Sequence, residues 1–210
     1  MLITFEGIDA SGKTTQMNLL GETLKAKGFD FINTRQPGGT DIGLKIREIL
    51  LNPEHSEMVP ETEVLLYMAD RIQHINQVIK PSLKAKKIVL CDRYHDATVA
   101  YQGGGRQLDL SWLEPLKMNL LLTPDLTLWF DISVEESQRR LNIRNKALNT
   151  ENCRLEREDR EFFDRIRKVY QKIAKEEPDR FIVISAENSI AAIQKEVESQ
   201  VLSKLKGNYD

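Results

Sequence analysis

The chain has little of what marks several whole classes of protein. It carries two cysteines, Cys91 and Cys153, with no C-x-x-C pattern. Its three histidines, His55, His74 and His95, stand at no metal-ligand spacing. A disulfide scaffold and a zinc module are thereby excluded, and the two thiols read as reduced. No apolar run approaches the ~20 residues that a membrane span needs. Net charge is only −2, which argues against a broad nucleic-acid surface, and no basic aromatic groove for a single strand is visible. Internal repeats and low-complexity linkers are also lacking. An apolar run, Met1 to Phe5, opens the sequence, leaving no room for a cleavable signal peptide. The expectation is a cytoplasmic protein with neither membrane nor nucleic acid as partner.

What is present suits one α/β domain over residues 1–210, a length that buries a sizeable core. Strand-like runs at Leu2–Phe5, Phe29–Thr34, Ile88–Cys91, Leu126–Asp131 and Phe181–Ser185 alternate with helical patterns. The helices are expected near Thr14–Lys27, Ile42–Leu51, Glu61–Ile79, Ser111–Leu122, Val134–Arg144, Glu158–Lys175 and Ser189–Lys206. Such alternation indicates a mainly parallel sheet covered by helices on both faces, a three-layer sandwich. Ligands of these sheets gather beyond the carboxyl ends of the strands. The stretch Asn142 to Arg157 stands apart: polar, rich in Arg and Asn, and read as a mobile surface segment or a solvated loop.

The first strand runs into Gly7-Ile8-Asp9-Ala10-Ser11-Gly12-Lys13-Thr14, followed by Thr15. This matches G-x-x-x-x-G-K-S/T, and the strand–loop–helix setting is the one the motif requires. Backbone N–H groups at the helix start face an anion, and the helix dipole adds favourable potential. Glycines let the backbone approach phosphate oxygens without a Cβ in the way. Lys13 supplies positive charge to the β and γ groups, and the Thr14 hydroxyl can ligate Mg²⁺. The chain is therefore expected to bind a nucleoside triphosphate with magnesium.

A second constellation lies at the other strand ends. Asp92 closes a buried strand, where P-loop proteins hold Mg²⁺, and it would equally suit capping a helix over Tyr94–Tyr101. Arg35 precedes the turn Pro37-Gly38-Gly39, Arg47 lies on the next helix and Arg93 follows Asp92. Guanidinium forks bind phosphate bidentately, so three of them near the strand ends suit a second phosphate. Thr98, Tyr101 and Gln102 fall on one helical face and offer hydroxyl, aromatic and carboxamide groups to a pyrimidine ring. Tyr67 and Arg71, four apart, could sandwich a base by stacking; Tyr67 also fits a core stripe with Val64, Met68 and Ile72.

Thr4-Phe5-Glu6-Gly7, the Gly12-Lys13-Thr14-Thr15 run, Arg35-Gln36-Pro37-Gly38-Gly39, Asp92-Arg93-Tyr94 and Ala100-Tyr101-Gln102-Gly103 together resemble the bacterial thymidylate kinases, in order and spacing over nearly the whole chain. The resemblance implies a five-stranded parallel P-loop NTPase sheet, a homodimer, and phosphoryl transfer from ATP to dTMP with Mg²⁺. It also implies roles. Gly7 to Thr15 engage ATP, with Lys13 and Thr14 on the phosphates and magnesium; Asp9 meets the sugar 3′-hydroxyl; Arg35, Arg47 and Arg93 hold or bridge the acceptor phosphate. Tyr67 and Arg71 meet the thymine, Thr98 and Gln102 its edge, and Tyr101 crowds the sugar C2′. Residues 142–157 align with the lid over ATP. Position 10 is Ala, so the resemblance is to the class whose catalytic arginine lies in the lid, with Arg154 first and Arg144 second. Gln36 stands where the family commonly has Glu.

Rival readings lack their signatures. A GTP switch needs D-x-x-G and N-K-x-D; Asp92-Arg93-Tyr94-His95 lacks the glycine and Asn145-Lys146-Ala147-Leu148 the acid. Another monophosphate acceptor such as dUMP differs from dTMP by one methyl group, a difference of about 1–3 kcal/mol in a pocket.

Overall fold

The computed structural model describes residues 1–209, except the side chains of residues 116–117 and 207–209. Five parallel strands, β1 (Leu2–Glu6), β2 (Phe31–Arg35), β3 (Ile88–Asp92), β4 (Leu126–Asp131) and β5 (Phe181–Ser185), lie in the order β2-β3-β1-β4-β5. Central strands covered on both faces must be apolar throughout. Accordingly β1 is buried along its full length, and β3 and β4 are buried up to their terminal aspartates, whereas the edge strands β2 and β5 are partly exposed.

Helix α1 (Lys13–Ala26) packs against β2, β3 and the closing helix α9 (Ile190–Tyr209) on one face. The opposite face carries α3 (Pro60–His74), its continuation as a π-helical stretch Ile75–Ile79, and α4 (Lys80–Lys84). It also carries α5 (His95–Thr98), which runs into a second π-helical stretch, Val99–Gly105, and α8 (Arg160–Glu176). Between these, α2 (Asp41–Leu51) packs on α3, a 3₁₀ turn at Ser111–Leu113 leads into α6 (Glu114–Leu120), and α7 (Val134–Leu148) follows β4. Helix α8 shows how the sequence sets a face: Phe162, Phe163, Ile166, Tyr170 and Ile173 recur at helical spacing and are buried. The Asp159 side chain accepts from the Phe162 N–H and caps its start.

Three expectations needed correction. The pattern over Glu61–Ile79 is not one α-helix, because it loosens to π geometry after His74. Ser111–Leu122 begins as a 3₁₀ turn and stops at Leu120. Residues 142–148, expected to be irregular, are the last turns of α7. That helix buries only Val134, Ser137, Leu141 and Asn145, so no apolar stripe announces its end. A single residue in left-handed conformation, Asn149, closes it.

Candidate functional site

Every strand of the sheet ends at one edge, and the site is built there. After β1, Gly12 adopts φ 93° and lets α1 begin at Lys13. The Lys13 ammonium curls over the loop, donating to the carbonyls of Gly7 (3.0 Å) and Ile8 (2.9 Å) and to Ser11 Oγ (3.3 Å). Burial, then the nearby Arg93, push its pKa down to about 8. Thr14 Oγ1 donates to Asp92 Oδ2 at 2.9 Å, joining α1 to the end of β3. The other carboxylate oxygen, Asp92 Oδ1, is buried without a partner among the described residues. Asp92 is thus not the cap of the following helix: Tyr94 occupies that position, and its side chain makes no capping bond.

Two cavities adjoin at this edge. One, of about 440 Å³, is lined by Asp9, Ala10, Gly12, Lys13, Thr14, Thr15, Arg35, Gln36, Arg47, Asp92, Arg93, Arg140 and Arg144. The other, of about 410 Å³, is lined by Tyr67, Arg71, Tyr94, Thr98, Tyr101 and Gln102 on one side and by Asn145, Leu148, Thr150, Glu151, Cys153, Leu155 and Glu156 on the other. Asp9, Gln36, Arg47, Arg93 and Arg144 border both. Most residues expected to meet phosphates thus line one cavity, and all those expected to meet a base line the next.

Arg93 sits at the junction in left-handed conformation, φ 67°, a backbone strain that functional sites often retain. Its Nη2 donates to Asp9 Oδ1 (2.9 Å) and to the Tyr101 hydroxyl (3.0 Å), and its guanidinium lies 4.8 Å from the Tyr101 ring centroid. Its Nη1 is buried with no hydrogen-bond partner among the described residues. Burial, then the adjacent Arg35, hold the Arg47 pKa below its usual value, and Arg93 adds to that push. An anion placed among them would offset this cost on Arg47.

Two assigned side chains lie differently from expectation. Arg154 does not reach the phosphate cavity. It is buried, donating from Nη2 to Glu63 Oε2 at 2.5 Å and from Nε to the Leu50 carbonyl at 3.0 Å. Glu63, fully buried, also takes Gln102 Nε2 at 2.7 Å and Arg106 Nη2 at 3.2 Å. Its charge recruits Arg154 across 91 positions of chain, a pairing that sequence alone cannot show. Arg71 shares a cavity with Tyr67, as the spacing requires, but its guanidinium lies over Tyr94. The side chain is bonded to Gln36, Thr98 and the Tyr94 carbonyl. It lines the cavity with its guanidinium turned over the Tyr94 ring.

The segment expected to cover ATP chiefly roofs the cavity of Tyr67 and Tyr101, while helix α7 sends Arg140 and Arg144 to the cavity lined by the P-loop. Arg140 was missed in the sequence, although its i,i+4 relation to Arg144 on a helix was the available signal. The amide side chain of Asn145, which donates to Asn152 Oδ1, was missed as well.

Comparison with known proteins gives one consistent result. The family model described as "Thymidylate kinase" matches residues 5–197. The chain is 45% identical over 207 residues to the thymidylate kinase of Exiguobacterium sp. (strain ATCC BAA-1283 / AT1b), covering 98% of this chain and 95% of that protein. It is 43% identical to that of Pelotomaculum thermopropionicum, at 98% and 96% coverage. Among solved structures, thymidylate kinase from Ehrlichia chaffeensis superposes with a TM-score of 0.75 at 35% identity, over 97% of this chain and 98% of that one.

Proposed function

Because this chain belongs to the thymidylate kinase family, we propose that it transfers the γ-phosphoryl group of ATP to dTMP, giving dTDP and ADP, within a single kinase domain whose lid spans residues 142–157. The observation that supports this reading most is the pair of adjoining cavities meeting at Arg93. A triphosphate tail in one and a nucleoside monophosphate in the other meet end to end, the arrangement that in-line transfer requires.

The reaction needs no general base, because a phosphate monoester with second pKa of about 6 is mostly dianionic at neutral pH. The obstacle is repulsion between two anions. Arg35, Arg47 and the unpartnered Nη1 of Arg93 receive the acceptor phosphate. Lys13 exchanges its loop carbonyls for the β and γ oxygens, and Arg144 with Arg140 approaches the transferring group from α7. Charge spreading over that group in the transition state is then met by donors already in place. Thr14 and Asp92 would hold Mg²⁺, since an oxygen pair with one buried, unpartnered carboxylate oxygen suits a hard cation that keeps waters and phosphates as its other ligands. When bound, the ion neutralises phosphate charge.

On the base side, Tyr67, Arg71, Thr98 and Gln102 surround a pyrimidine, Tyr101 stands where a ribose hydroxyl would enter, and Asp9 faces the sugar. Closure of the lid excludes water and so suppresses hydrolysis of ATP. Crystals soaked with dTMP and a non-hydrolysable ATP analogue test this placement. The monoester should lodge between the three arginines and the Tyr101 segment, and a monoester bound anywhere else contradicts it.

We read the chain as a homodimer of the cytoplasm. The two thiols are unpaired, and among the described residues no helix is long and apolar enough to cross a membrane. Ile42, Ile49 and Leu65 are each at least 42% exposed on the packed pair α2 and α3, an apolar face that a second copy would cover. Sedimentation at micromolar concentration should give twice the chain mass.

A further inference from the structure

His74 is fully buried at the end of α3, and nothing in the phosphoryl transfer uses it directly. Both of its ring nitrogens are engaged, Nδ1 with Gln36 Nε2 at 2.8 Å and Nε2 with Thr34 Oγ1 at 2.6 Å. The direction of each bond follows from its neighbour. Arg71 lies one helical turn before His74 and its Nε is 2.8 Å from Gln36 Oε1. A guanidinium can only donate, so the Gln36 atom it meets must be the carboxamide oxygen. The amide nitrogen of Gln36 therefore faces His74 as a donor, and Nδ1 must accept. That leaves the ring proton on Nε2, donated to Thr34. Only one tautomer satisfies the whole row.

Packing fixes the ring as firmly as the bonds do. A Cβ built on Gly39 would lie 2.5 Å from both Cδ2 and Nε2 of His74, so the turn after β2 rests directly on the imidazole. Burial, then the positive charge of Arg71, push the His74 pKa down to about 4, in keeping with an uncharged ring. On α3 the neighbouring Asp70 faces the same turn, accepting from the Gly38 N–H at 2.9 Å.

We propose that His74 is a positioning residue for the base cavity: with its proton on Nε2 it locks the Gln36 carboxamide, which in turn holds Arg71 at the cavity wall with its Nη1 on Thr98. The chain carries Gln at position 36, and a carboxylate there could not donate to Nδ1. A glutamate would need a proton on Nδ1 instead. His74 and Gln36 thus form a matched pair, and Arg71 reaches the pyrimidine in a set orientation because of them. The proposal deepens the dTMP reading and rests on it for its kinetic consequence. The tautomer does not depend on any substrate.

The test has a spectroscopic and a kinetic arm. Long-range ¹H–¹⁵N correlation spectra of the full chain at pH 7.5 should show His74 with a protonated Nε2 and a bare Nδ1. In Gln36→Glu the same ring should carry its proton on Nδ1 or become an imidazolium. A wild-type ring already protonated at Nδ1, or a ring unchanged in Gln36→Glu, overturns the proposal.

Kinetically, His74→Leu should raise KM for dTMP about tenfold, near the value of one hydrogen bond lost at Arg71. Its kcat should stay close to wild type and KM for ATP unchanged. His74→Asn, whose Oδ1 can stand in for Nδ1 as acceptor, should recover most of the loss. Equal KM values for dTMP in wild type and both variants, or equal impairment of both variants, overturns it. A wild-type enzyme that ignores dTMP while showing the expected tautomer would sink the substrate reading and leave the hydrogen-bond row standing.

Discussion

Arg154 sits on the carboxylate of Glu63, 2.5 Å away and buried, beside the base cavity and not in the cavity that holds the P-loop. The arginine that resemblance put first for catalysis is therefore paired with a buried carboxylate in this arrangement, and Arg144 borders the cavity lined by the P-loop.

Two substitutions separate these roles. Arg144→Ala should lower kcat about a hundredfold, the effect of removing one preorganised donor from a developing charge, with little change in stability, since Arg144 is exposed and its ion pair with Glu156 lies at the surface. Arg154→Ala should instead lower the unfolding free energy by about 2–4 kcal/mol, because Glu63 loses its closest counter-ion. Arg106 remains as its second partner. Urea titrations beside steady-state rates decide the matter, and a stable but inactive Arg154→Ala would restore that residue to catalysis.

Asp92→Asn addresses the metal. The carboxylate accepts from Thr14 and keeps one buried oxygen without a partner. Replacing it should raise the Mg²⁺ concentration for half-maximal rate about tenfold or more, while thermal melting without metal stays unchanged. An unaltered magnesium titration would remove Asp92 from the metal site.

The buried carboxyl of Glu6 gives the fold a pH signature. It accepts from the Tyr94 N–H (2.7 Å) and the Tyr170 hydroxyl (2.8 Å). Burial, then the nearby Asp96, push its pKa from 4.5 to about 7. A raised pKa means that the folded state keeps a proton which the unfolded chain has released. The contribution is complete below pH 4.5 and is lost as pH rises through about 7. Glu6→Gln cannot lose that proton. Relative to wild type its stability should therefore improve with rising pH, by on the order of 3 kcal/mol in all. His74, whose pKa is lowered, acts in the opposite direction between about 4 and 6.5, but it is common to both proteins and cancels. A difference that does not vary with pH would show that Glu6 titrates normally.

The strands were legible because burial on both faces leaves apolar runs with sharp ends. β4 and β5 fall on the expected residues, and β2 starts two residues late, at Phe31, on an exposed edge. The P-loop and the arginines at the strand ends were legible for a second reason: parallel topology carries all carboxyl ends to one side. The end of α7 was not, since a polar helix over solvent needs no apolar stripe. Nor were the two π-helical stretches, where the repeat lengthens without a marker residue. Pairings at long separation escaped altogether. Charge shows that Arg154 wants an anion, but only the folded chain shows that Glu63 provides it. The same holds for Gln36, whose departure from the usual Glu was visible although its partner His74, 38 positions on, was not.

The most direct test is ADP release by the purified enzyme with ATP and Mg²⁺, offered dTMP, dUMP, CMP, AMP or GMP as acceptor. ADP should appear with dTMP in equal amount to dTDP, weakly with dUMP, and hardly at all with the purine monophosphates or with no acceptor. ADP formed at the same rate without any acceptor, or faster with AMP or GMP than with dTMP, would contradict the joining of a triphosphate cavity to a pyrimidine cavity at Arg93.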